Sequence, residues 1–481
     1  MSRVLIVVFD ALRPDFVTHD LMPNLTGFMA QGTRFGRCRS FFPTETRVNQ
    51  TTVLTGCTPA RHGIVANKFV ADDLAPGLLL NTGDDAGLAS AAERGQVVQM
   101  PMLAERLARA GKSYASLSAG TPGGGRLIGL YAERDRQTRF AMRAPDRCAP
   151  AGLAAEFERA IGPMPDYALP ATDWIDWAVA AYLEHIEPVE RPDAMVLWLC
   201  EPDESFHYLG IGSTGSLQTI RHVDAAFGRI LEHHAAEIAS GALHIIAMSD
   251  HGQLSLDGEP LNLPARLGDV GVTASTRGMD GADCVVAVDT AGGIWVRDRD
   301  SVLTARIVEW LQHQPWCGPL FTADGSPGTL RLADVMIDHA RAPDIAFASK
   351  VMDTENGHGR PGLSAHDAPY PVGGGCHGGL SRYETHNVLA IGGARAGRGA
   401  HETFPVGNID IAPTALDLLG LPVPDDMDGR SILAGGTDAR EGDWAERTLR
   451  SEPAPRTGFV TCLSVTDAGG RRFLDQAWAE A

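Results

Sequence analysis

Short apolar runs, often β-branched, alternate along this chain with stretches whose apolar positions recur at helical spacing. Residues 4–9, 194–199, 243–248 and 387–391 are the clearest strands, and their near-continuous apolar character fits strands covered on both faces. Helical periodicity marks 22–31, 103–110, 174–186, 217–237, 302–314 and 409–419. Strands alternating with helices predict an α/β fold with a mostly parallel central sheet and helices on both faces. Ligands of such sheets gather beyond the carboxyl ends of the strands. From Gln253 the pattern loosens into mixed strand and loop, Pro- and Gly-rich near 356–375. Residues 253–376 therefore read as an inserted cap or substrate region, and 1–252 with 377–435 as the core. The extension 436–481 is polar at first, then gives 459–466 and 471–474 around Asp467-Ala-Gly-Gly, a closing hairpin.

At 481 residues and 44% hydrophobic, the chain can bury a large core. Its 60 Asp and Glu against 41 Lys and Arg give a formal charge of -19, which repels nucleic-acid polymers and anionic lipid. An anionic substrate must then be captured locally, by metals or single arginines. No apolar run approaches the roughly 20 residues that a membrane span needs. The start, Met-Ser-Arg leading into a strand, lacks the charged and apolar regions of a secretory leader. Eight scattered cysteines without a C-x-x-C pair read as reduced thiols, so a cytoplasmic protein is the expectation. No nucleic-acid polymer and no membrane is expected as a partner, and a homo-oligomer stays open.

Three carboxylates and three imidazoles fall at strand ends or in loops. Asp10 follows the first strand, and Asp250 and His251 leave the third, with Gly252 relieving crowding. Asp203 and His207, four apart, would share one face of a helical turn. His377 sits in the Gly-rich segment 373–379. Such ligands suit two divalent ions: zinc first, then manganese or iron(II). Thr46 precedes residues 49–55; if those are helical, it stands just ahead of a helix N-terminus, where an attacked anion is favoured. Its hydroxyl would need a metal to become a nucleophile. Taken singly, each segment also reads blandly, as a polar turn, a flexible loop or a capping threonine.

Taken in order, the segments resemble the alkaline phosphatase superfamily. They are Asp10, the stretch 42–56, Pro59-x-x-His62-Gly63-Ile64-x-x-Asn67-Lys68, Asp203 with His207, Asp250-His251-Gly252 and Cys376-His377-Gly378. The pattern is most similar to the nucleotide pyrophosphatase/phosphodiesterase-type enzymes, and 409–432 looks like the closing helix and turn of the sulfatase branch. The resemblance implies one metal on Asp203, His207 and His377, and another on Asp10, Asp250 and His251 with the Thr46 oxygen. It implies that Thr46 attacks phosphorus, that Asn67 donates to a phosphoryl oxygen, and that the substrate is a small anionic phosphoester, a diester in that family's manner, with a phosphonate, as in the related phosphonoacetate hydrolases, as the alternative.

Cys57-Thr-Pro-Ala-Arg61 fits the sulfatase signature C-x-P-x-R, but the sulfatase cysteine lies ten residues before the glycine of a Leu-Thr-Gly element. That glycine is Gly56 here, so Thr46 holds the position and Cys57 does not; sulfatase chemistry becomes a minor alternative, as does a metal-binding protein without catalysis. Nucleotide-specific relatives carry an aromatic directly after the nucleophile, where this chain has Arg47. Its guanidinium could grip a carboxylate or phosphate oxygen, or pair with Glu45.

Overall fold

A computed structural model of the chain describes residues 2–433 and 444–480. The expected core boundary at 435 and the polar start of the extension lie outside the described residues. The central sheet has eight strands: β1 (Arg3–Phe9), β2 (Thr33–Phe35), β3 (Tyr114–Ser118), β4 (Thr138–Ala141), β5 (Ala194–Leu199), β6 (Leu243–Met248), β7 (Leu389–Gly392) and β8 (Ala400–Glu402). Their spatial order is β8-β2-β7-β6-β1-β5-β3-β4. β1 lies in the middle, parallel to both β5 and β6. β3 is parallel to β4 and β5, while β7 runs antiparallel to β6.

Alternation along β1 fills two cores at once. Val4, Ile6 and Val8 enter one apolar cluster, and Leu5, Val7 and Phe9 enter the cluster on the opposite face. Both faces are covered by helices, which is why β1, β5 and β6 read as unbroken apolar runs. The carboxyl ends of these three strands lie side by side, so the residues that follow them converge.

Several expected elements end differently. The run 387–391 splits: His386–Asn387 pairs with Cys38–Arg39, and only Leu389–Gly392 joins the central sheet. The buried Asn387 amide is spent on the Asp250 carbonyl and on Asn408 instead. The helix expected over 174–186 is Thr172–Ala181, continued in π-helical turns through Glu190 around Pro188, which has no N–H to give. The 217–237 helix is Thr214–His233 followed by Ala235–Ser240. The 409–419 helix starts with a 3-10 turn and then runs Ile411–Leu418. β3 and β4 escaped the pattern because Ser116, Ser118, Thr138 and Arg139 interrupt it with polar residues that are nonetheless buried. Arg139 is satisfied by Glu133 and by the carbonyls of Gly129 and Arg147.

Between Ala274 and Ser349 the chain builds a second, six-stranded sheet. The hairpin around Asp467 forms from Val460–Ala468 and Arg471–Glu480, with Trp444–Arg450 added outside it. Leu463, Val465 and Leu474 of that hairpin share a core with Phe321 of the second sheet and with Phe42, four residues ahead of Thr46. The approach to Thr46 is thus packed from both sides.

Candidate active site

Thr46 is the first residue of the helix Thr46–Thr55, which starts three residues earlier than the sequence suggested, so Thr46 lies in its first turn and not ahead of it. The helix is buried although most of its residues are polar. Thr51, Thr52 and Thr55 return their hydroxyls to carbonyls four residues back, which leaves no unsatisfied oxygen among them. Gly56, at a φ of 68°, closes the helix in the left-handed region. Asn49 binds the Phe41 N–H and the Phe41, Pro43 and Glu45 carbonyls, and so shapes the turn that presents Thr46. Asn408 donates to both Asn49 and the Asp250 carbonyl, tying this helix to the end of β6.

The ligand candidates meet beside it. Asp10 follows β1, Asp250 and His251 follow β6, and Asp203 opens the short helix Asp203–Leu209 after β5. His251 Nε2 lies 3.1 Å from Thr46 Oγ1, 3.2 Å from Asp250 Oδ2 and 3.5 Å from Asp10 Oδ1. Asp203 Oδ2 lies 3.2 Å from His207 Nε2, and its Oδ1 is 3.6 Å from His377 Nε2. The His251 and His377 rings stack with centroids 3.9 Å apart. Asp203, His207 and His377 form one group of ligand atoms within 4.8 Å of one another, as the resemblance implied. Asp10, His251 and Asp203 form a second. Asp203 therefore belongs to both, a sharing that the sequence did not show.

Each histidine has its Nδ1 engaged by a main-chain carbonyl: His207 by Gly375, His251 by Gly252 and His377 by Thr44. With Nδ1 donating, Nε2 carries the lone pair that faces the cluster. The glycines serve backbone contact: a Cβ on Gly374 would stand 2.2 Å from the His207 carbonyl, and one on Gly252 would stand 2.1 Å from that of Tyr383. The crowding at Gly252 thus comes from a neighbouring carbonyl.

The electrostatics are unfavourable without cations. Burial first, then Asp250 and Asp203, push Asp10 well above the usual carboxylate range. Burial brings Asp250 up to about 8 and His251 down to about 3. His377 is lowered by burial and by His251 beside it. At Asp203 and His207 burial opposes charge, but their mutual attraction outweighs it, lowering the acid and raising the base. Asp10 Oδ1 and Asp250 Oδ2 are buried without a hydrogen-bond partner. Orphaned carboxylate oxygens facing imidazole lone pairs fit a pair of divalent cations.

Residues outside the expected set also contribute. Trp198 on β5 donates to Asp10 Oδ2, and Gln253 Nε2 lies 3.0 Å from His207 Nδ1 and 3.4 Å from Asp203 Oδ1. The Tyr370 ring stacks on His207. Only Gln253, three residues past Asp250, had a positional cue. Asn67 accepts the Arg47 N–H through Oδ1, and its own N–H goes to Glu45. Burial, then Asp289, lifts Glu45 to about 7. Cys57 lies past the other end of the helix, buried, its thiol pushed up by burial to about 11. A third possible ligand group, Glu187, His234 and Glu237, has no open position: both carboxylates pair with Arg3, and His234 is bonded to Tyr182 and Glu237.

Residues 4–299 match the sequence profile of the type I phosphodiesterase / nucleotide pyrophosphatase family, well over half of the chain. The chain belongs to that family. Ectonucleotide pyrophosphatase/phosphodiesterase family member 3 of Bos taurus is 23% identical over 262 residues, 52% of this chain but 25% of that protein. The chain thus spans about a quarter of the length of the curated relatives it matches. Among solved structures, phosphonoacetate hydrolase from Sinorhizobium meliloti, in complex with phosphonoformate, superposes with a TM-score of 0.62 at 16% identity, covering 87% of this chain and 96% of that one. Murine ectonucleotide pyrophosphatase/phosphodiesterase 5 gives 0.59 at 16% identity, over 88% and 96%. These likenesses establish the alkaline-phosphatase-like α/β fold that the family membership leads one to expect.

Proposed function

We infer that this chain hydrolyses phosphoesters, diesters foremost, through a covalent phospho-threonine at Thr46. The observation that carries the reading is Thr46 Oγ1, buried at a helix N-terminus and 3.1 Å from His251 Nε2, beside two orphaned carboxylate oxygens. Asp203, His207 and His377 would hold one divalent cation and Asp10, Asp250 and His251 the other, with Asp203 within reach of both; the cations would supply Lewis-acid neutralisation of phosphoryl charge and a lowered hydroxyl pKa. The imidazole and carboxylate donors favour zinc. Thr46 Oγ1 forms the new bond to phosphorus as the ester oxygen leaves with a proton, and water then splits the phospho-threonine. Asn67, its Oδ1 occupied by the Arg47 N–H, keeps its Nδ2 hydrogens for a phosphoryl oxygen. The helix N-terminus favours the same negative charge.

A second reading, carbon–phosphorus cleavage of a small phosphonate, draws support from Arg47 beside the nucleophile and uses the same residues. All eight cysteines are buried and free, which supports a reducing compartment. Among the described residues no helix is long and apolar enough to cross a membrane. Zinc-loaded protein should hydrolyse bis-p-nitrophenyl phosphate faster than p-nitrophenyl phosphate or phosphonoacetate, and quenched turnover should leave a phosphate on Thr46 visible by mass spectrometry. Faster release from phosphonoacetate would favour the second reading; no hydrolysis of any of the three would sink both.

A further inference from the structure

Most arginines in the interior of this acidic protein have a partner. Arg3 pairs with Glu187 and Glu237, Arg126 with Asp85, Arg139 with Glu133 and Arg341 with Asp73. Among the described residues Arg47 has no ion pair. Its side chain is partly buried and its Nε is buried without an acceptor, although Asp10, Glu45 and Asp203 are near enough to feel its charge. Glu45, the alternative partner that the sequence offered, accepts the Asn67 N–H. Asp10 and Asp203 face the cation cluster and Glu45 accepts the Asn67 N–H, so a partly buried guanidinium beside the nucleophile is left able to bind an anion from outside the chain.

Polar groups stand close around it. Gln50 lies one turn along the same helix face, 2% exposed, with Oε1 unpaired. Across from it runs the Gly-rich helix Pro122–Leu127, preceded by Thr121. A Cβ on Gly83 would stand 3.8 Å from Arg47 Nη2 and 3.9 Å from Thr121 Oγ1; one on Gly124 would stand 2.9 Å from Thr121 Oγ1 and 3.2 Å from Gln50 Oε1. The two glycines therefore let the guanidinium, the amide and the Thr121 hydroxyl, which already accepts the Gly124 N–H, draw close together. The buried Gln50 oxygen calls for a donor as Arg47 calls for an acceptor, and a hydrated anion supplies both.

We propose that Arg47, with Gln50 and Thr121, forms a second-anion subsite, so that the substrate is a phosphoester or phosphonate whose non-leaving end carries a carboxylate or a further phosphate. This rests on the phosphoryl-transfer reading above and narrows its substrate class. Arg47 gives the planar two-point grip such a group needs, while the reacting phosphorus lies at Thr46, one residue away.

The test compares two esters with the same leaving group, p-nitrophenyl 2-carboxyethylphosphonate and p-nitrophenyl propylphosphonate. Zinc-loaded wild type should prefer the carboxylate ester in kcat/KM by about 10- to 100-fold, the range of a charge-assisted hydrogen bond. Arg47→Met should collapse that ratio towards one, chiefly through KM; Arg47→Lys should keep part of it, and Gln50→Ala or Thr121→Val should lower it less. Arg47→Met should melt within a few degrees of wild type, since the guanidinium forms no ion pair among the described residues; strong destabilisation would point to a structural role and count against the subsite. Equal rates on both esters, or an unchanged ratio in Arg47→Met, overturn the proposal while leaving the hydrolase reading intact. If neither ester turns over, that reading falls, and calorimetry of zinc-loaded protein decides the subsite separately. Tighter binding of 3-phosphonopropionate than of propylphosphonate, lost in Arg47→Met, supports it; equal binding overturns it.

Discussion

Replacing Asp250 by Asn separates what this residue does for the metals from what it costs the protein. Asp250 is fully buried, accepts the Ala11 N–H through Oδ1, and leaves Oδ2 unpartnered 3.2 Å from His251 Nε2. Burial lifts it from 3.8 to about 8. Between those values the metal-free folded protein holds a proton that the unfolded chain has released. Stability from this group is thus complete at low pH and is lost as pH rises through 8. The loss is at most about 1.4 kcal/mol per pH unit, or about 1–3 kcal/mol between pH 5 and 7. Asn keeps the Ala11 acceptor and does not titrate. The buried imidazoles of His62, His251 and His386, held down near 3, tilt the wild-type profile the other way. The quantity to read is therefore the difference in unfolding free energy, variant minus wild type, from urea titrations of chelator-treated protein. It should rise by about 1–3 kcal/mol from pH 5 to pH 7. In the same variant, turnover and one equivalent of zinc should be lost. A flat difference, or a variant that keeps two metals and wild-type turnover, would refute the account of Asp250 as a ligand held at the expense of stability.

The remaining variants test the division of labour. Thr46→Ala should lower turnover by at least ~1000-fold while mass spectrometry under native conditions still finds two metals; loss of metal alongside activity would make Thr46 a ligand first. Asp203→Asn should lower occupancy of both metals, because Asp203 belongs to both ligand groups, whereas His207→Ala should lower only one; equal losses in elemental analysis would contradict that sharing. Asn67→Ala should reduce kcat by ~100- to 1000-fold, the usual effect of removing one donor to a developing oxyanion, and a change confined to KM would move Asn67 out of the reacting centre.

Near-continuous apolar runs at 4–9, 194–199 and 243–248 located the three central strands, because a strand buried on both faces leaves no polar position to blur it. β3 and β4 were illegible for the opposite reason: Ser116, Ser118 and Arg139 look solvated in the sequence and are satisfied internally in the fold. In the candidate site, Asp10, Asp203, His207, Asp250, His251, His377 and Thr46 come together beyond the strand ends, where such sheets bind ligands. That Asp203 faces both ligand groups depends on how β5 sits beside β1 and β6, which no local pattern encodes. Trp198 and Tyr370 read as core and loop residues, and only the third dimension sets them against Asp10 and His207.

The three imidazoles are steered by the main chain, at Gly375, Gly252 and Thr44. Exchange of a neighbouring side chain leaves those acceptors in place, since a carbonyl is present whatever residue stands there; Gln253, against His207 Nδ1, is the one side chain among the described residues that also touches such a nitrogen. Recognition residues around the cluster can therefore vary from one lineage to the next without retuning the reactive machinery. Insertions or deletions at 44, 252 or 375 have no such freedom, because they would turn the rings themselves.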